Sequence, residues 1–299
     1  MRVILQYPEA SGSAIDLLDA GSIADVATAA EAAGFDGIAL TEHPAPSNSW
    51  LETGGHQSLD PFVALASAAG VTTDLALVTN LSVVPYRNPL LLAKSAATLN
   101  RMSEGRFYMG AGAGYLKSEY FALGVDFTER NALFEEALQV MKLHWSGEPF
   151  DFEGRHFSAR NIRALPAPRH HRVPIWMGGN SDAALKRAAA YADGWMPMTA
   201  PVSVAKTART PPVTTPAELQ ERLGALERFA GERYEELQLI LGYSGPSLAH
   251  FARDAEQIRQ RLGEMDEMGV DWTIIGPPWS PAPGPVEWIE AFGESILKP

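Results

Sequence analysis

Leu75-Ala76-Leu77-Val78-Thr79, then Pro85-Tyr86-Arg87-Asn88-Pro89, then Arg106-Phe107-Tyr108-Met109 running into Gly110-Ala111-Gly112-Ala113-Gly114-Tyr115, is the stretch whose reading decides the fold. Its first five residues are a near-continuous apolar run, the pattern of a strand covered on both faces in a parallel sheet. Asn88 can cap a helix and Pro89 can take its first position. Leu92, Ala96 and Leu99 then recur on one helical face. Ser103-Glu104-Gly105 stops the helix, and residues 106–109 restart as a strand. The whole is one right-handed βαβ unit, whose two strands bring their carboxyl ends to the same edge of a parallel sheet. Open parallel sheets and barrels bind ligands at that edge. Three glycines on alternate positions, Gly110, Gly112 and Gly114, close the second strand. They either bare the main chain for a flat group or relieve crowding at a strand end. They do not match the dinucleotide fingerprint, which has another spacing and opens a helix.

The same alternation runs through the rest of the chain. Gly34-Phe35-Asp36-Gly37, Asp193-Gly194 and Gly269-Val270-Asp271 each lead straight into an apolar run, which reads as a helix ending on a left-handed glycine and dropping into a strand. With strands also at 3–7, 173–177 and 238–242, eight strands alternate with helices. Ile23, Val26, Ala27 and Ala30 line one helical face; Leu133, Phe134, Ala137, Leu138 and Met141 a second; Phe251, Ala255, Ile258, Leu262 and Met265 a third. Eight such units close into a (β/α)8 TIM barrel, an α/β fold, with a doubly wound open sheet as the alternative. Three segments exceed simple connections. These are residues 44–60 after strand two, 148–172 after the long helix of the fourth unit, and 199–216 after strand six. The first and third leave the carboxyl ends of strands and can reach a site there. The second reads as a hairpin around Glu153-Gly154 followed by a Pro-rich link on the outside of the barrel.

Composition narrows the function. The 299 residues are expected to form a single domain over 1–299, with a core large enough to fold without a metal or disulfide staple. There is no cysteine, which excludes a thiol nucleophile, a disulfide framework and a cysteine-ligated metal. A formal net charge of −12, with no basic face, argues against a nucleic-acid partner. No apolar run approaches a membrane span, and the first eight residues are too short for a signal-peptide apolar region. A cytoplasmic location without a membrane partner is therefore expected.

Two stretches carry chemistry. After Ile175-Trp176-Met177 comes Gly178-Gly179-Asn180-Ser181, and a helix starts at once with Asp182-Ala183-Ala184-Leu185. Amides of Gly178, Gly179 and the first helical turn, the Ser181 hydroxyl and the positive helix end suit a phosphate monoester. The same residues also make an ordinary cap. Thr41-Glu42-His43-Pro44 closes the second strand. An imidazole at a barrel strand's carboxyl end is placed for proton transfer or for a hydrogen bond to a heteroaromatic ring, or else is a structural histidine. No spacing of His and carboxylates supports a metal, and Gly242-Tyr243-Ser244-Gly245 lacks nucleophile-elbow spacing.

Thr41-Glu42-His43, the run from Asn80-Leu81-Ser82 through Asn88-Pro89 to Lys94, Gly105-Arg106-Phe107 through Gly114-Tyr115, Glu119-Tyr120 and Leu123-Gly124-Val125 together resemble the bacterial luciferase-like flavin-dependent oxidoreductases. Pro174-Ile175-Trp176-Met177-Gly178-Gly179-Asn180-Ser181 with Ala192-Asp193-Gly194-Trp195 is similar to that family's second block. The likeness covers residues 1–200 and in detail favours the subgroup that uses the deazaflavin coenzyme F420. It implies a TIM barrel with the ring at the carboxyl edge, contacted by Glu42, His43, Thr79, Asn80, Leu81, Gly112 and Gly114. It also implies phosphate held at Gly178, Gly179, Asn180 and Ser181, and a non-proline cis peptide near Asn80-Leu81. Where some deazaflavin enzymes carry a general-acid carboxylate this chain has Tyr115, so proton transfer falls to His43 or Tyr115. Trp50, Tyr115 and Trp279 are expected to wall the substrate pocket. The implied activity is hydride transfer between F420 and a small organic substrate in a homodimer. The alternatives are an FMN monooxygenase using oxygen and a flavin-binding protein without turnover.

Overall fold

The computed structural model describes residues 1–9, 16–277 and 284–298. Eight parallel strands close into a barrel: β1 (Arg2–Gln6), β2 (Gly37–Leu40), β3 (Ala76–Val83), β4 (Phe107–Gly112), β5 (Ile175–Gly178), β6 (Gly194–Met196), β7 (Gln238–Gly242) and β8 (Trp272–Ile275). Each pairs with the next in parallel, and β1 closes the ring on β8 through Arg2–Trp272 and Val3–Thr273. The open-sheet alternative is thereby set aside.

Local sequence explains most elements. Asn88 accepts from the Leu90 amide, Pro89 opens the helix Pro89–Met102, and Leu92, Ala96 and Leu99 are buried. β3 runs past the five-residue apolar stretch to Val83, through a cis peptide at Asn80-Leu81 and a register shift between Thr79 and Ser82. Gly34 and Gly269 take the expected positive φ, 94° and 81°. The third junction works differently. The helix Asp182–Tyr191 ends on extended Ala192, and Gly194 lies inside β6, where an added Cβ would come within 2.8 Å of Ile240 and Trp176. What all three junctions share is the aspartate. The carboxylates of Asp36, Asp193 and Asp271 accept the amides of Val3, Ile175 and Leu239, at 2.7, 2.8 and 2.7 Å, each tying one strand to the start of its neighbour.

The alternate glycines of β4 serve its pairing with β3. A Cβ at Gly110 would stand 1.9 Å from the Thr79 carbonyl oxygen, one at Gly112 2.8 Å from Leu81 Cδ1, and one at Gly114 2.5 Å from Val83. Crowding relief is therefore real at all three. Lower in the barrel, Tyr108, Trp176 and Trp272 fill the lumen, with ring centres 4.7, 5.5 and 5.3 Å apart pairwise. Such pairs add about 0.5–1.5 kcal/mol each beyond their buried area, and they close the lumen below so that a ligand enters from the carboxyl rim.

Residues 44–60 contain a short helix, Asn48–Glu52. Residues 148–172 hold the expected hairpin, Phe150–Glu153 against Ser158–Ile162. The segment after β6 reads as patternless in sequence yet forms the helix Val202–Thr207. No helix of the described residues is long and apolar enough to cross a membrane.

Candidate active site

At the carboxyl rim a cavity of about 610 Å³ opens among the ends of β2 to β8. Its wall includes Glu42, His43, Asn80, Leu81, Gly112, Gly114 and Tyr115 together with Gly178, Gly179, Ser181 and Ala183. The glycine end of β4 and the glycine turn after β5 thus share one cavity. Trp279 lies outside the described residues.

His43 follows β2. Its backbone amide donates to Ser58 Oγ at 2.7 Å, and its ring packs on Trp50, His56 and Tyr115, with centres 4.5, 5.0 and 5.9 Å away. Nδ1 lies 3.2 Å from Glu119 Oε2. A carboxylate only accepts, so Nδ1 carries the proton and Nε2 is left for the cavity. Glu119 is completely buried in the helix Lys117–Ala122 and is saturated by Tyr86 Oη (2.7 Å) and the Ala45 amide (3.2 Å) besides His43. Burial and the bond to Glu119 push the Tyr86 phenol far above its ordinary range. Tyr86, Glu119 and His43 therefore form a chain of hydrogen bonds ending at the cavity. Glu119 entered the sequence reading only as part of a motif. Its signal was an acid at a position that a short helix turns inward.

Burial, then the charges of Glu119 and Glu9, push the Tyr115 phenol up to about 12. It stays neutral near pH 7 and can donate a hydrogen bond, which makes it a poor base. Glu42 points away from its sequence neighbour His43. Its carboxylate accepts from the Val83 amide (2.6 Å) and Ser82 Oγ (3.1 Å) and pairs with Arg87. Burial raises it against the opposing pull of Arg87. Its role in these contacts is to fix the end of β3 beneath the cavity.

Not every expected residue offers a free side chain to the cavity. Thr79 Oγ1 donates to the Gly110 carbonyl at 2.8 Å, and Trp50 lies against His43 and His56 outside the lining. The Asn180 side chain is engaged by Met198 and Pro211, holding the segment after β6 onto the turn after β5. Asn80 Nδ2 donates to Gln6 Oε1 at 2.8 Å. Leu81 fills the space between Gly112 and Gly178, where a Cβ would come within 2.8 and 2.4 Å of its Cδ1.

The anion end is narrower than the sequence implied. The Gly179 amide donates to the Met196 carbonyl at 3.4 Å and the Asn180 amide to Thr210 Oγ1 at 2.9 Å. Ser181 Oγ accepts from the Ala184 amide at 3.2 Å as an N-cap, which leaves its own proton to donate. The amides of Asp182 and Ala183, at the first two helical positions, have no acceptor within the helix. Arg222 binds Asp182 at 2.8 Å, so that carboxylate has its own counter-charge. Two amides, a hydroxyl and the positive end of a ten-residue helix fit a phosphate.

The closed parallel barrel is a (β/α)8 TIM barrel, and the His43–Glu119 pair and the helix start after β5 stand on its carboxyl rim. The sequence matches the luciferase-like monooxygenase family over residues 3–210, and the chain belongs to that family. An uncharacterized protein of Mycobacterium tuberculosis is 32% identical over 183 residues, 57% of this chain and 63% of that protein. The F420-dependent glucose-6-phosphate dehydrogenase of Tsukamurella paurometabola is 31% identical over 180 residues, covering 58% of this chain and 51% of that one. The matched region thus spans less than two thirds of either relative. Among solved structures, the monooxygenase RslO1 from Streptomyces bottropensis superposes with a TM-score of 0.79 at 20% identity, over 99% of both chains, a likeness of fold.

Proposed function

We propose that this chain is an oxidoreductase that moves a hydride between the deazaflavin coenzyme F420 and a small organic substrate, with His43 as the proton-transfer group. The observation that carries the reading is the pairing of His43 with buried Glu119 on a single cavity that is also lined by a phosphate-suited helix start. The F420-dependent relative supports the coenzyme. The cavity wall formed by Gly112, Gly114 and Leu81 offers main chain and apolar surface to a flat ring, while Ser181 and the amides of Asp182 and Ala183 hold its phosphate.

When bound, the deazaflavin supplies the hydride donor or acceptor, and the protein supplies orientation and proton management. His43 Nε2, with Nδ1–H fixed on Glu119, takes or gives the proton of the substrate's reacting oxygen or nitrogen. Tyr115, held neutral, donates a hydrogen bond beside it. The segments 44–60 and 199–216 flank the rim and keep water from the reacting atoms. We read residues 1–299 as one domain. In support, the chain's ends pack together, with Phe35 stacked on Phe292 at 5.8 Å and the Met1 amine on Asp266 at 2.6 Å.

The reading is tested by titrating the apo-protein with F420 and, separately, with FMN, following fluorescence. F420 binding followed by substrate-dependent change in its oxidation state is expected. Tight FMN binding with no F420 binding would replace the reading with an oxygen-using flavin monooxygenase.

A further inference from the structure

Three cations from three separate segments converge on one ring. The guanidinium carbon of Arg130 lies 4.0 Å from the centre of Phe127, Lys117 Nζ 5.4 Å and the guanidinium carbon of Arg209 5.5 Å. Among the described residues, none of the three has a carboxylate within ion-pair distance, in a chain with 36 acidic and 24 basic side chains. The nearby acids are occupied elsewhere. Glu129 pairs with Arg155, Glu135 with Arg187, and Asp126 accepts from Thr128. Arg130 donates one hydrogen bond to the Phe127 carbonyl (2.9 Å) and Arg209 one to the Tyr115 carbonyl (3.2 Å), which among the described residues leaves most guanidinium donors unused. Three cations within 5.5 Å of one ring centre, with no carboxylate among the described residues to offset them, favour the binding of an anion beside them. Arg130 and Arg209 also line the cavity that holds Ser181 and His43.

We propose that Lys117, Arg130 and Arg209 form a second oxyanion subsite at the mouth of the cavity, for a carboxylate or phosphate carried by the ligand within it. The inference rests on the coenzyme-cleft reading given above. The oxyanion comes either from the coenzyme, beyond its first phosphate, or from an anionic substrate. FMN ends at its phosphate, whereas the glutamate tail of F420 continues with carboxylates, so the two coenzymes separate these sources.

The test compares the wild-type protein with an Arg130→Gln/Arg209→Gln variant. In the first arm citrate and inorganic pyrophosphate are titrated into apo-protein at constant ionic strength by calorimetry, with no coenzyme present. At least about tenfold weaker binding to the variant is expected, because charge-assisted hydrogen bonds are lost. Equal binding to both proteins overturns the subsite. In the second arm, a comparable loss for F420 with FMN unchanged assigns it to the coenzyme tail. Unchanged coenzyme affinities with a raised KM for anionic but not neutral substrates assigns it to the substrate. F420 failing to bind wild-type protein defeats the function proposed above, while the first arm still decides the subsite. Exposed Lys117 and Arg209 supply Lys117→Met and Arg209→Gln as single variants should loss of Arg130 impair folding.

Discussion

His43 Nδ1 stands 3.2 Å from Glu119 Oε2, across 76 positions of sequence, and that bond fixes which imidazole nitrogen the cavity receives. Replacing His43 by Ala should lower the hydride-transfer rate by about 10²-fold or more, the usual worth of a positioned acid–base group, while coenzyme affinity changes little. Single-turnover kinetics with a turnover substrate check this. Equal rates in the two proteins would refute the role.

Glu119→Gln keeps the shape but removes the charge that holds the Nδ1 proton. The expected result is a rate loss of about tenfold and a displaced pH–rate limb, with stability lowered by about 1–3 kcal/mol because Tyr86, Ala45 and His43 lose their shared anionic acceptor. An unchanged pH profile would reduce Glu119 to a packing role.

Ser181→Ala should weaken coenzyme binding about tenfold and leave the rate at saturation unaltered, since in the proposed function the hydroxyl holds the coenzyme's phosphate and not the reacting atoms. Loss of the cap costs about 1 kcal/mol of stability as well. It is a cleaner probe than Gly179→Val, because Gly179 sits at φ 103° and any side chain there strains the backbone. Unaltered affinity would remove the helix start from the site.

Gly110→Ala and Gly242→Ala contrast a glycine inside a strand with one at a strand end. The first drives a Cβ to 1.9 Å from the main-chain oxygen of Thr79, an obstacle that only backbone movement relieves, so a loss above about 3 kcal/mol is expected. The second meets no atom of the described residues within 4 Å and should stay within about 0.5 kcal/mol of wild type. Urea unfolding of both variants checks the pair.

His144 gives the chain an acid-sensitive point. Burial, helped by the charge of Lys94, pulls its imidazole from the ordinary 6.5 down to about 4, and its Nδ1 is buried without a partner among the described residues. The unfolded chain therefore takes up a proton that the folded one refuses. Stability should be full above pH 6.5 and fall as pH drops from 6.5 towards 4, by at most about 1.4 kcal/mol per unit from this group. His144→Leu should remove that component from the pH profile of unfolding, and a profile identical to wild type would disprove it.

Sequence by itself determined the alternation of eight strands with helices, the outer hairpin and the caps at Asn88 and Ser181, because these rest on periodicity and on contacts within a few residues, as where Asn88 caps Leu90 and Ser181 caps Ala184. It also marked His43 and Ser181, whose positions at strand and helix ends are local facts. Only the tertiary structure decided what those ends meet. Glu119 is brought to His43, Arg209 to Tyr115 and Phe127, and Asn180 to Met198 and Pro211 by the pairing of strands and the packing of the segments that follow them. The junction aspartates make the same point. Their spacing from glycine is visible along the chain, but each carboxylate serves a neighbouring strand's amide, and neighbours are defined only when the sheet closes. A side chain's direction follows from backbone periodicity, whereas its partner follows from which distant segment the packed core sets beside it.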